Sequence, residues 1–542
     1  VNEIFEDIRL VGAPPSNIGK FGGDTDNWVW PRHTGDFSIF RIYADKDNKP
    51  APYSEENVPY KPKKHLNISL DGAEEGDFTF IFGYPGSTQE YIPSWAVDMQ
   101  VNVINPIRID LRGKRIDIFK KYMEQSPEIR IQYAAKQAGI SNGWKKWIGE
   151  NRGINRLKVI DQKKNFESEF IIWVESSAER IEKYGNLLAE LEKQYNSLSE
   201  ISYFSTYLTE AGLGIEAVRF ARTFERLVDY SKLKKEIDEN KLNELVSDQK
   251  NRTESFFKDY QPAIDKEVFA VILKDYYERT HNGSMADELR ILYTKYKGDF
   301  NVMADEVFAK SVFVSKEKMN EFLDHYKTSN VKKLEHDPVY KLASSFAGLY
   351  YQQLIPVIRA KNNHIDSLMR IFMQAQIEMQ PMKKIYPDAN FTLRVAYGNA
   401  DGYNPDDAVF YRHYTTLEGI MEKEDPEIYD YVVEDKLQEL YQKKDYGVYG
   451  DEDGSMHVCF TASNHTTGGN SGSPVLDADG NLIGINFDRC WEGTMSDIYY
   501  DLSQCRNIAL DIRYCLFIID KFAGAGHLVD EMTIVDLELI FD

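Results

Sequence analysis

From its start to about residue 89 the chain places apolar residues in short runs, Phe37-Ser-Ile-Phe-Arg-Ile-Tyr43 and Phe78-Thr-Phe-Ile-Phe82, with Gly, Pro, Asn or Asp around them. Such β-branched and aromatic runs between turn residues predict antiparallel strands. Between Pro127 and Pro262 there is no proline, and apolar residues recur at helical spacing among Glu, Lys, Leu and Ala. One predicted helix opens at Ser176, with Glu179 as its capping-box partner, and carries Ile181, Tyr184, Leu188, Leu191 and Tyr195 on one face. Another presents Ile215, Val218, Phe224, Leu227 and Val228. After Asn390 strand patterns return at Phe391–Tyr397, Met456–Thr461, Ser473–Leu476 and Leu482–Phe487, interrupted by a Glu- and Tyr-rich helical stretch from Pro426 to Lys444. No repeat of solenoid period is present. The pattern predicts an α+β protein: a β-domain in residues 1–89 and 390–542, split by a helical insertion in residues 90–389.

At 542 residues and 62.7 kDa the chain exceeds one ordinary hydrophobic core, so two or three domains are expected. Its 42% hydrophobic content suits a globular fold and not a disordered one. A formal net charge of −22 argues against nucleic acid as a partner, since phosphate binding needs a basic stripe. The same charge repels acidic peptides at long range, so an acidic ligand requires a local basic group that reverses the sign. Cys459, Cys490, Cys505 and Cys515 form no CxxC pair, which leaves zinc and thioredoxin chemistry without a motif and both a disulfide and free thiols open. Neither a metal nor a cofactor is expected. No apolar run approaches the ~20 residues that cross a bilayer. The chain begins Val-Asn-Glu, without an initiator Met, which raises the expectation of a removed leader or a longer N-terminal part.

The strongest chemical signal is Thr467-Gly-Gly-Asn-Ser-Gly-Ser-Pro-Val475, followed by the turn Asp477-Ala-Asp-Gly480 and a strand. Small residues on both sides of Ser471 let a substrate backbone approach and let the amides of Gly469 and Ser471 converge on one point, as an oxyanion hole requires. The run resembles the nucleophile loop of trypsin-like peptidases, with Ser471 as nucleophile. A serine nucleophile needs a base and the base an orienting carboxylate, in the trypsin-like order His, Asp, Ser. Asp36, just before the apolar strand Phe37–Tyr43, fits the carboxylate. Only His33 precedes it, three residues away and too close to serve as the upstream base, so the catalytic His is expected outside this chain. His413 and His465 read as packed or surface residues.

Asn27-Trp-Val-Trp-Pro-Arg-His-Thr-Gly-Asp36, Gly83-Tyr-Pro-Gly-Ser87, Ser141-Asn-Gly-Trp144, Gly468-Gly-Asn-Ser-Gly-Ser-Pro474 and Ile508-Ala-Leu-Asp-Ile-Arg-Tyr514 together resemble the bacterial dipeptidyl-peptidases that join a trypsin-like double β-barrel to a helical cap, their acidic-specific members most of all. The resemblance spans essentially the whole chain. It implies removal of dipeptides from peptides with a free N-terminus, with Asp or Glu next to the cut. It implies amine binding by Asn27, Trp28, Asn142 and Asp488, and recognition of the acidic side chain by Arg489. It also implies a homodimer in the periplasm or at the cell surface of a Gram-negative bacterium. Asp488 and Arg489 follow the strand that returns from the Ser471 loop, where a free α-ammonium would meet a carboxylate and a substrate carboxylate a forked guanidinium. Two readings compete: an acidic-specific serine endopeptidase, and a peptide-binding protein without catalysis if no upstream His exists.

Overall fold

The structure, a computed structural model, describes residues 3–233 and 237–535. The chain divides into two compact units, one of residues 1–91, 152–157 and 386–542, the other of residues 92–151 and 158–385.

The first unit holds the strands. They are β1 (Ile8–Gly12), β2 (Ile39–Ala44), β3 (Val58–Pro59), β4 (Phe78–Gly83), β5 (Arg394–Asn399), β6 (Tyr414–Thr416), β7 (His457–Ala462), β8 (Ser473–Leu476), β9 (Leu482–Arg489) and β10 (Asn507–Asp511). β1, β2 and β3 form a three-stranded antiparallel sheet, whose paired Ile8–Ile42 and Leu10–Phe40 are exposed. The others form a seven-stranded antiparallel sheet in the order β5-β4-β8-β9-β10-β7-β6. That sheet curls until the ends of β5 and β7 meet: Ala400 bridges Ala462, and Ser463 N donates to Asn399 O at 2.9 Å. Ile81, Phe460, Val475, Ile483 and Ala509 fill one side of it. A larger apolar cluster gathers Val458, Ile508, Leu510, Tyr514 and Phe517 with Ile18, Phe21 and Trp30.

The second unit is helical throughout its regular elements and buries Ile215, Val218, Phe224, Leu227 and Val228 as the apolar spacing predicts. The helix expected from Ser176 differs from the prediction. It begins at Ala178 with Ser177 as N-cap, no side chain caps it, and Ser176 Oγ donates to Trp173 O at 2.8 Å instead. The chain also breaks at Gly185 between helices Ala178–Tyr184 and Leu187–Tyr207, so Tyr184, Leu188, Leu191 and Tyr195 are buried while Ile181 is exposed. A hydroxyl that finds a carbonyl in the preceding turn is no longer available to cap the next helix.

β1 and β10 were not marked by alternation. β1 exposes its largest side chains, and β10 is buried on both faces with Asn507 and Asp511 at its ends, so neither shows the period of two. All four cysteines are buried free thiols.

Candidate active site

Ser471 sits in the loop between β7 and β8, exposed, its hydroxyl donating to Phe487 O on β9 at 3.2 Å. The loop is tied down around it. Asn470 N donates to Thr467 O at 3.0 Å, Ser473 N to Asn470 O at 3.0 Å and Gly472 N to Asn486 O at 2.7 Å. Buried Asn486 donates its Nδ2 to Asn470 O at 3.1 Å and accepts from Asn507 Nδ2 at 3.0 Å, so two neighbouring strands grip the loop. By contrast, the N–H groups of Gly469 and Ser471 have no acceptor among the described residues. Two undedicated amides flanking a bonded one are the donors an oxyanion would use. Gly469 has φ +108°, and a Cβ there would lie 2.4 Å from Tyr84 O, so backbone curvature and close approach both demand glycine.

At the end of β9, Asp488 organises the neighbouring segment. Its Oδ2 accepts from Arg32 Nη2 at 2.6 Å and from Trp28 N at 3.1 Å, while Oδ1 accepts from Arg489 N at 2.9 Å. A carboxylate offers about four lone-pair sites, so Oδ1 keeps one. Trp28 has φ +67°, a strained conformation held by that bond to Asp488. Arg32 is buried, and it was not foreseen as a site residue although it lies within the Trp-Pro-Arg-His run.

Asp36 is exposed, three residues before β2 and not at its first residue. The groups packed around it push its carboxyl upward, Arg32 pulls it down, and the charge of Asp488 raises it further. Asp36 therefore shares an electrostatic neighbourhood with Asp488. His33 is buried with Nδ1 unbonded, and burial, Lys423 and Arg32 together hold its ring down to about 3, far from a base at neutral pH. None of the ten histidines lies within hydrogen-bond reach of the Ser471 hydroxyl among the described residues.

Arg489 is buried and turns away from Asp488. Its Nη1 donates to Asp497 Oδ1 at 2.7 Å, to Ser496 Oγ at 2.6 Å and to Thr466 O at 3.2 Å, and its Nη2 to Asp497 Oδ2 at 3.0 Å. The guanidinium also lies 5.6 Å from the centre of the Trp28 ring. Burial works against its charge, and Asp497 first, with Cys505 and Asp488 adding to it, more than restores it.

The loop, Asp36, Asp488, Arg489 and Trp28 thus meet at one strand end. Against known sequence families, residues 1–534 match the peptidase S46 model. The chain belongs to the peptidase S46 family. It is 45% identical over 543 residues to the Asp/Glu-specific dipeptidyl-peptidase of Flavobacterium psychrophilum, covering 99% of this chain and 74% of that protein. It is 41% identical over 537 residues to dipeptidyl-peptidase 7 of Phocaeicola vulgatus, covering 98% and 73%. Among solved structures it resembles Porphyromonas endodontalis DPP11 in complex with the dipeptide Arg-Asp, with a TM-score of 0.88, 40% identity and coverage of 98% and 74%.

Within this S46 chain, Asn27 is half-buried in the loop before Trp28, and Asn142 belongs to the helical unit, exposed on helix Pro127–Arg156. Sequence reasoning missed Asp497 and Ser496. They end a 3₁₀ helix, Trp491–Asp497, too short to show a period that marks an inward side chain. His465, read as a packed or surface residue, donates from Nε2 to Ser496 O at 3.0 Å.

Proposed function

We propose that this chain carries the Ser471 nucleophile of a serine exopeptidase that releases dipeptides from peptide N-termini, with Asp or Glu as the second residue, next to the cut. The observation that carries the reading is the convergence at the end of β9, where the Ser471 hydroxyl touches the Phe487 carbonyl and Asp488 and Arg489 are the next two residues. In this chemistry a base removes the Ser471 proton as Oγ attacks the carbonyl of the second residue. The amides of Gly469 and Ser471 receive the oxyanion, the peptide C–N bond breaks, and the base returns the proton to the departing amine. Water then hydrolyses the acyl-enzyme ester and releases the dipeptide. The free ammonium goes to Asp488, and the acidic side chain to Arg489. We take the base to be a histidine from outside these residues, with Asp36 orienting it. The family resemblance supports the finer parts of the reading: two barrels, the helical unit in the role of a cap, Asn27, Trp28 and Asn142 at the amine end, a homodimer, and a periplasmic or cell-surface location.

Two substrates test this in the full-length protein. A peptide beginning Xaa-Glu should lose its first two residues, and its N-acetylated form should be inert; cleavage of the blocked peptide would make the protein an endopeptidase. Ser471 should react with a serine-directed acylating probe and Ser471→Ala should not. No labelling of the wild type leaves a peptide-binding protein. Arg489→Gly should lose about 10²-fold or more in kcat/KM on an acidic reporter while probe labelling persists. Equal loss on acidic and apolar reporters would remove Arg489 from substrate selection.

A further inference from the structure

The guanidinium of Arg489 has two edges on which a carboxylate can seat with two parallel bonds: the Nη1/Nη2 end and the Nε/Nη2 side. Asp497 occupies the first, at 2.7 and 3.0 Å, with both side chains largely withdrawn from water, at 6% and 15% exposure. Nη1 is further committed to Ser496 Oγ and Thr466 O. The Nε–H and the second Nη2–H have no acceptor among the described residues. One edge is therefore taken by the protein, and the other has no partner among the described residues.

This changes what the arginine does to a substrate. A buried guanidinium with no counterion would strongly penalise an apolar side chain that left it unpaired, and would attract a carboxylate with its whole charge. Arg489 instead arrives already neutralised. An apolar side chain leaves only one edge unfilled, and an entering carboxylate meets the repulsion of Asp497 across the same guanidinium. Both effects reduce discrimination.

We propose that Asp497 sets how strictly the site demands an acidic second residue: its carboxylate fixes the Arg489 head with the Nε edge presented, and its negative charge relaxes the preference for acid over neutral side chains. This rests on Arg489 being the acid-binding group of the proposed exopeptidase. Loop Thr466 to Ser471 ties the two together, since its first residue accepts from Arg489 and its last is the nucleophile.

The test compares full-length wild type, Asp497→Asn and Asp497→Glu on dipeptide-releasing reporters that differ only in Glu, Gln or Leu at the second position. Asp497→Asn removes the charge and should raise the Glu-to-Leu ratio of kcat/KM about 10-fold, the change falling on KM. Asp497→Glu keeps the charge and should stay within a few-fold of the wild-type ratio. A ratio that is unchanged or falls in Asp497→Asn overturns the proposal, a fall meaning that Asp497 acts by position alone. Should Asp497→Asn not fold, the wild type decides: its Glu-to-Gln ratio should stay below about 10³. A ratio of about 10⁴ or more, as for a site whose polar group has no other partner, overturns it. Failure of the underlying reading looks different, because Arg489→Gly would then leave the Glu-to-Leu ratio where the wild type has it.

Discussion

His33 shows what one buried residue costs the fold. It packs so closely on Gly419 that a Cβ there would lie 2.2 Å from its Nε2, and its surroundings hold the ring down to about 3 from the ordinary 6.5. The folded state thus refuses a proton that the unfolded chain accepts below about pH 6.5. The neutral ring's contribution is fully present above that pH and is lost as pH falls towards 3, amounting to about 2 kcal/mol at pH 5. His33→Gln should therefore lose less melting temperature than wild type between pH 7 and pH 5. An identical loss in both proteins would show that His33 does not set the acid response. The same residue explains why proximity in sequence to Asp36 did not make a triad: it serves the core, not the cleft.

Among the elements, the β8–β9 hairpin does most to position the site. β8 pairs with β9 from Ser473–Asn486 to Leu476–Leu482, and the loop before β8 is bound to β9 and β10 through Asn486 and Asn507. Across the sheet, Gly86 N donates to Gly468 O at 2.7 Å, so the segment after β4 supports the other side of the loop. Gly469→Ala adds a methyl 2.4 Å from Tyr84 O at a residue with φ +108°, and the loop must shift. A displacement of about 1 Å in a reacting group lowers kcat by about 10²-fold, and such a fall, with KM little changed, is the expected result. Wild-type kcat in Gly469→Ala would show that the loop's curvature is not needed for the chemistry. Local motif and strand pattern foretold this hairpin because its turn residues and alternation lie together in the sequence. They did not foretell β10, whose role is to be buried between β9 and β7.

At the scale of the molecule, the net charge of −22 opposes acidic peptides, the substrates proposed for Arg489. The two effects separate by range, since salt at about 0.15 M screens beyond about 8 Å and leaves a buried contact nearly intact. Two peptides sharing the same first two residues, one with acidic and one with neutral residues beyond the fourth position, isolate the long-range part. The ratio of kcat/KM, acidic tail over neutral tail, should rise several-fold between about 20 and 200 mM salt. A ratio independent of salt would mean that the field of the whole chain does not reach the approaching substrate.

What the sequence settled by itself was whatever is written in short range: the helical texture of the insertion, most strands, the glycine-flanked Ser471 loop and the strand that returns from it, although Asp488 and Arg489, read as following that strand, are its last two residues. These follow from side-chain period and from steric needs that neighbouring residues satisfy. Only the tertiary structure decided which charges meet. Arg32 neutralises Asp488 across 456 residues, and Asp497 takes one edge of Arg489 from the end of a short 3₁₀ helix eight residues on. Burying a charge requires a partner wherever the fold brings one, and no periodicity in the chain records that choice.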